Sequence, residues 1–562
     1  MTGNDSSATL KAGVTEPRHV YNMVMRRAAI AAAKQGKRSG KNAMKVDWAV
    51  SLENGYVPAD QAPAKYGFDI GTQDCNNDYV LLGLTVTSGT QANLVGINNL
   101  YTGASPACNA GSPWVAFAYN TITQGGGGIT TSPSISEDGT KVAFVETATA
   151  GSYFHVLVLP SPIPVPPSQT GTVRAPFTPT SCATPTTVNC MTTVQISGSG
   201  SPTSPWIDYS TDTAYVGTGD GKLYKISPVF GGGAPTVAAD ANWPVTVITA
   251  GASKVLTDPT VDDNAGRIFI GDANGYLYAI DLNSPAQTTA ATLTIGWAGH
   301  GAGTGIISPP IVVFDSANPA VDQVFAFTGC SNVVGIGGAA NQVPANFTSG
   351  TTIDMTNTVD LGSATGAGDC TGANVHAGDF DNEFWTNGST NGHLLVCGFV
   401  SGTPNAPLIP SNPKMYEFSF TAGQLNNGTL PTATWVINNK TGDECSPLTE
   451  FYDGTTDRLF FGVGGNGGGG GNDGYIKSSS ITAGFPAASG CINGSPTSTC
   501  VTTPHKLEGT SSIIVDNQVS NGGANLYFST LAHGSVNGQK CHVAGGAANP
   551  YCAVKLTQSA LQ

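Results

Sequence analysis

The sequence predicts an all-β chain folded as an eight-bladed β-propeller with a helical, basic N-terminal arm; a seven-bladed ring is the alternative. Three observations predict this. Short apolar runs broken by Gly, Asn, Asp and Pro continue from Val46 to the end of the 562-residue chain. One strand grammar recurs at intervals of 50 to 72 residues, the period of propeller blades. Hydrophobic residues make up 40% of the chain and charged residues only 11%. A core can therefore form, disorder of the whole is excluded, and the polar surface must come from Ser, Thr, Asn and Gln.

The arm spans residues 1–45. Residues 1–15 are polar. Pro17 suits the first turn of a helix over 18–35, rich in Met, Ala, Arg and Lys, and Gly36 and Gly40 end it. Residues 1–46 hold nine of the 23 Lys/Arg and two of the 37 Asp/Glu, a net of +7, so the remainder carries −21. Arg18, Arg26, Arg27, Lys34, Lys37 and Arg38 are its main charges.

The propeller spans 46–562. Strand 46–52 has no unit of its own. Pairing with the last blade, which shows only three strands, closes the ring and hides two sheet edges. The clearest unit opens at Ser204-Pro205-Trp206 and continues through Thr213–Gly217 and Gly221–Ile226. Its neighbour opens at Asp258-Pro259 and continues through Arg267–Gly271 and Gly275–Asp281. Asp220-Gly221 and Asn274-Gly275 supply the positive φ of tight hairpins. Further units open at Ser132-Pro133, Ser308-Pro309, Val375-His376, Ser446-Pro447 and Thr510-Ser511, and a first lies near Tyr66–Leu100.

Gly219-Asp220-Gly221-Lys222-Leu223-Tyr224-Lys225-Ile226 and Gly271–Asp281 resemble the pyrroloquinoline-quinone-like propeller repeat, and Trp435–Gly442 carries similar pieces in another order. The resemblance covers two units well and is absent from residues 1–45. It implies a propeller. Quinoprotein dehydrogenases of this architecture hold their cofactor over a Trp platform, beside calcium and a disulfide between adjacent cysteines. This chain has no adjacent cysteines, and Trp206 and Trp297 read as blade-packing residues.

The twelve cysteines are even in number and show no CxxC. Cys182/Cys190, Cys491/Cys500 and Cys541/Cys552 lie close enough to staple loops, and at least four disulfides are expected. Disulfides place the chain outside the cytosol, extracellular or periplasmic. No run of about 18 apolar residues offers a membrane span. No leader is visible, so the chain reads as a mature form.

Candidate chemistry is sparse. Asp379, Asp381 and Glu383 alternate as hard oxygen donors of the kind calcium takes, but the segment lacks the Gly and distal Glu of an EF-hand, and a solvated turn is the plainer reading. No other cofactor is expected. Asp262-Asp263-Asn264 reads as a turn. The runs Gly125–Gly128 and Gly467–Gly471 read as flexible loops, since neither precedes a helix. His300 and His376 read as structural residues near the channel. Asn346, Asn387, Asn427 and Asn439 begin glycosylation sequons. Nucleic acid is not an expected partner: the arm has only Tyr21 for stacking, and the body repels phosphate.

The function expected is an exported cell-surface or extracellular binding or structural protein, self-assembling through its arm. Its partners would be copies of itself or a cell-surface glycan or protein. The alternative is a propeller enzyme, either a quinone-dependent oxidoreductase or a carbohydrate-active hydrolase or lyase. That reading requires carboxylates or an ion converging at one channel mouth.

Overall fold

The computed structural model describes residues 44–67, 73–87, 89–101, 108, 112–161, 163, 171–248, 253–282, 288–296, 305–317, 320–333, 337–354, 356–362, 374–399, 413–425, 433–437, 443–452, 454–465, 475–482, 500–504, 509–516, 524–531, 535–536, 539–541 and 550–558. The expected helical arm with its basic residues, Trp297, His300, Cys491, Asn427, Asn439 and Gly467–Gly471 lie outside them.

Eight sheets form the ring, antiparallel except where Thr180–Ser181 pairs in parallel with Cys190–Ser197 at the edge of blade two, so the seven-bladed alternative falls. Blade one is Ala64–Tyr66, Tyr79–Gly83, Leu94–Asn98 and Trp114–Tyr119. Blades two to seven open at Ser134–Ile135, Trp206–Asp208, Thr260–Asp262, Ile311–Val313, Asp379–Phe380 and Thr449–Tyr452. Blade eight runs Ile514–Asp516, Ala524–Ser529 and Tyr551–Gln558. Its fourth strand is Met44–Glu53, antiparallel to Tyr551–Gln558, with Val46 opposite Leu556 and Val50 opposite Ala553. The first and last described strands thus share one sheet.

The strands are near-continuous apolar runs because both faces of each blade are covered. Along Thr213–Thr218, Ala214 and Val216 pack toward blade two while Tyr215 packs toward blade four. Along Arg267–Gly271, Ile268 and Ile270 face blade three and Phe269 faces blade five. Each such buried side chain contributes about 1.5–3 kcal/mol.

The repeat grammar has a physical basis at both ends of its hairpins. Gly221 and Gly275 adopt φ +77 and +89. Beside them, Asp220 accepts from Tyr224 Oη at 2.6 Å and Asp272 accepts from Tyr278 Oη at 2.9 Å, so the acidic residue pins the strand that follows. At the opening of a blade, a hydroxyl accepts an amide from the second half of the second strand. Thr203 takes Gly217 N, Thr257 takes Gly271 N, Ser446 takes Gly462 N and Ser511 takes Ser529 N, at 2.8–2.9 Å.

Cys75–Cys108, Cys182–Cys190, Cys397–Cys445 and Cys541–Cys552 are bonded. Two of the three short-range pairs expected from spacing are among these four, and the pair Cys491/Cys500 is not. Cys500 opens the outer strand of blade seven, Cys500–Pro504, where its backbone lies opposite Ser479, but its expected partner Cys491 is outside the described residues. Cys397–Cys445 was not expected from spacing and joins blade six to blade seven. The Gly125–Gly128 run differs from the flexible loop expected. It wraps the buried Glu146 carboxylate, which accepts from Thr123 N, Gln124 N and His155 Nε2. A Cβ on Gly127 would stand 1.9 Å from Glu146 Oε1, so only glycine permits the approach.

Candidate functional site: a polar hub on the propeller axis

After Met44–Glu53 the chain turns at Glu53, whose φ is +55, and heads inward. Gln61 N donates to Pro58 O at 3.1 Å, closing a turn that presents Asp60 and Gln61. These two residues contact blades all round the ring. Gln61 Oε1 accepts from Ser132 N at 2.7 Å and Ser132 Oγ at 2.8 Å in blade two, and from Ser204 Oγ in blade three. Gln61 O accepts from Ser512 N of blade eight at 3.0 Å. Asp60 Oδ1 accepts from Ser308 Oγ of blade five at 3.1 Å and pairs with His376 Nδ1 of blade six at 2.5 Å. Two adjacent residues can reach opposite sides of an eight-bladed ring only by lying on its axis.

The web continues beyond them. His376 Nε2 stands 3.6 Å from Glu444 Oε2, and Glu444 Oε1 accepts from Asn374 N at 3.1 Å. Ser204 N donates to Asp258 Oδ1 at 2.6 Å. Asp60, Asp258 and Glu444 therefore converge, as an enzyme reading requires. Their electrostatics point to a tie. Burial works against the His376 charge, but Asp60 and Glu444 outweigh it and raise its pKa to about 10. This favours the charged imidazolium at neutral pH, with Nδ1–H donating to Asp60 and Nε2 facing Glu444. In that form the ring acts as a cation held between carboxylates. Burial raises Asp258 to about 6, although the Ser204 amide favours its charged form.

The acidic segment of blade six is dispersed. Asp379 Oδ2 accepts from Glu450 N at 2.7 Å. Asp381 caps the short helix Asn382–Asn387 through Phe384 N at 2.9 Å and meets His393 Nδ1 at 2.6 Å. Glu383 Oε2 accepts from Asn387 Nδ2 at 2.9 Å. No group of three or more His, Cys, Asp or Glu side chains placed to hold a metal ion occurs among the described residues. Asp262 sits in the expected turn and accepts from Asn264 N and Ala265 N. Asn346 and Asn387 are exposed, and Trp206 is buried between blades three and four.

Asp60 and Gln61 escape a linear reading because they lie in the linker between the closing strand and blade one. A signal existed. Ala62-Pro63 is blade one's counterpart of the Ser-Pro and Asp-Pro steps, and those steps stand near the axis.

No family model matches the sequence, and no curated protein matches it. Solved propellers do. BamB from Moraxella catarrhalis is 13% identical, over 91% of this chain and 97% of its own, with a TM-score of 0.42. Saccharomyces cerevisiae Sqt1 is 9% identical over 92% and 98%, with a TM-score of 0.44. The C-terminal WD40 domain of Sif2 is 8% identical over 92% and 98%, with a TM-score of 0.42. Likeness at this level transfers no activity, ligand or partner.

Proposed function

We propose that this chain is an exported binding or structural propeller, sealed on its axis by its own chain, whose partners meet its outer surface and whose basic arm links copies. One observation carries the reading: Asp60 and Gln61 occupy the axis, where groups from several blades converge, and those groups are spent on holding the ring. The disulfides support export, since such bonds persist in an oxidising compartment. The arm's +7 against a body of −21 supports a charge-driven, head-to-tail contact.

The test is truncation of residues 1–45, followed by light scattering at low and high salt. The full chain should assemble at low salt and dissociate at high salt, whereas the truncated chain should stay monomeric. A full chain that is monomeric at low salt, or a truncated chain that assembles equally well, overturns the assembly. Fractionation of the native host checks export, with the protein expected outside the cytosol and without alkylatable thiols.

The convergence of Asp60, Asp258 and Glu444 around His376 favours a second reading, the propeller enzyme. Thermal shifts with calcium, pyrroloquinoline quinone and oligosaccharides separate the two. A shift abolished by Glu444→Gln supports the enzyme, and no shift supports the sealed axis.

A further inference from the structure

The seam between blade eight and blade one buries charge. Cross-strand register places Asp516 opposite Asn525, and Asn525 opposite Thr557, while Lys555 lies two residues before Thr557 on the same face. Across this face Lys65 of blade one meets Asp516 at 3.2 Å. The closing strand bulges here. Val46 opposes Leu556 and Trp48 opposes Lys555, so Asp47 is the extra residue and turns toward the lysine. Lys555 Nζ stands 2.9 Å from Asp47 Oδ2, with the side chains 4% and 1% exposed. Thr557 Oγ1 donates to the same Oδ2, while Asp47 Oδ1 is buried with no hydrogen-bond partner.

A buried ion pair costs both groups their hydration, and a carboxylate oxygen without a donor adds to that cost. Burial lowers the pKa of the Lys555 amine, against the opposing pull of Asp47 and Asp516. One proton transfer across the pair gives an amine and a carboxylic acid in a seam closed to water.

We propose that Lys555 and Asp47 condense to an intramolecular isopeptide bond that closes the ring covalently. Lys555 Nζ attacks Asp47 Cγ and the C–N bond forms. One carboxyl oxygen leaves as water, taking one proton from the amine and one from the acid. The product is a neutral amide, and no oxidant or other reactant is consumed. Asp516, on the same face of the sheet, favours positive charge at Lys555 and so steadies the ammonium that develops as the nitrogen attacks. Exclusion of water protects the amide once formed. The bond would join the first strand of the propeller to its last, where no other covalent link is seen among the described residues.

The test is the intact mass of the full chain, denatured and reduced, with fragmentation of its proteolytic peptides. The chain should be one water lighter than its sequence. A branched peptide should join the segment holding Asp47 to the segment holding Lys555. Lys555→Arg and Asp47→Ala should each restore the full sequence mass. A wild-type chain of full sequence mass overturns the proposal, as does a branch joining Lys65 to Asp516 instead. The wild-type mass decides the matter even where a variant fails to fold.

Discussion

Blade four meets blade five mainly across hydrocarbon, with Arg267 donating to Phe347 O and Asn264 to Asp322, whereas blade eight meets blade one across a buried ion pair as well. The first seam is filled by Phe269, Leu277, Ile306, Val312, Val324 and Phe347. The second also has apolar contacts, among them Trp48, Leu82, Val95 and Tyr527, but it adds Lys65–Asp516, and beside it, within blade eight, Lys555–Asp47 ties the closing strand to its neighbour. The difference follows from how each seam is made. Blades four and five are consecutive, so a short connection delivers one to the other and non-directional burial completes the joint. Blades eight and one come from opposite ends of the chain. A slip of one residue there would turn every side chain of the closing strand to the wrong face. Paired charges and a bulge at Asp47 penalise that slip, because a misplaced buried charge has no partner.

The sharpest way to break this contrast is Lys65→Met. It leaves Asp516 buried without its blade-one cation, and a loss of about 3–5 kcal/mol is expected in urea unfolding. A loss no larger than that of an apolar truncation would show that the closure seam is held like any other.

Next in size is Asp60→Asn, which removes the hub charge facing His376. A loss of about 1.5–3 kcal/mol is expected near neutral pH. The pH dependence carries a definite sign. His376 is raised from 6.5 to about 10 on folding, so its stabilisation is complete below pH 6.5 and is lost as pH rises through about 10. Burial lowers Lys477 from 10.5 to about 7, which acts in the opposite sense across the same window, so the hub is read from the difference between profiles: the gap between wild type and Asp60→Asn should narrow as pH rises toward 10. Parallel profiles would separate the hub from ring closure.

Gly127→Ala probes a polar contact away from the closure. Its Cβ must displace the Glu146 carboxylate, with an expected cost of about 1–3 kcal/mol by thermal unfolding. The smallest effect belongs to the apolar joint between blades three and four. Ile270→Val should cost about 0.5–1.5 kcal/mol, with no pH dependence between 6 and 10.

The sequence by itself determined what short-range chemistry determines. Asp220-Gly221 and Asn274-Gly275 need positive φ, and the Ser-Pro and Asp-Pro steps recur with the blades, so the repeat and its count of eight were legible. Cys182–Cys190 and Cys541–Cys552 lie within loop-closing reach and could be named from spacing. Cys75–Cys108 and Cys397–Cys445 could not, because connectivity between distant cysteines is not written in the chain. Tertiary structure alone decided the hub. Asp60 and Gln61 carry no motif, and their partners Ser132, Ser204, Ser308, His376 and Ser512 are spread over most of the sequence. Only closure of the ring brings the blade openings to one axis, and only the bulge at the closing strand turns Asp47 onto Lys555. Those contacts depend on the geometry of a circle, and local propensity along a line holds no record of it.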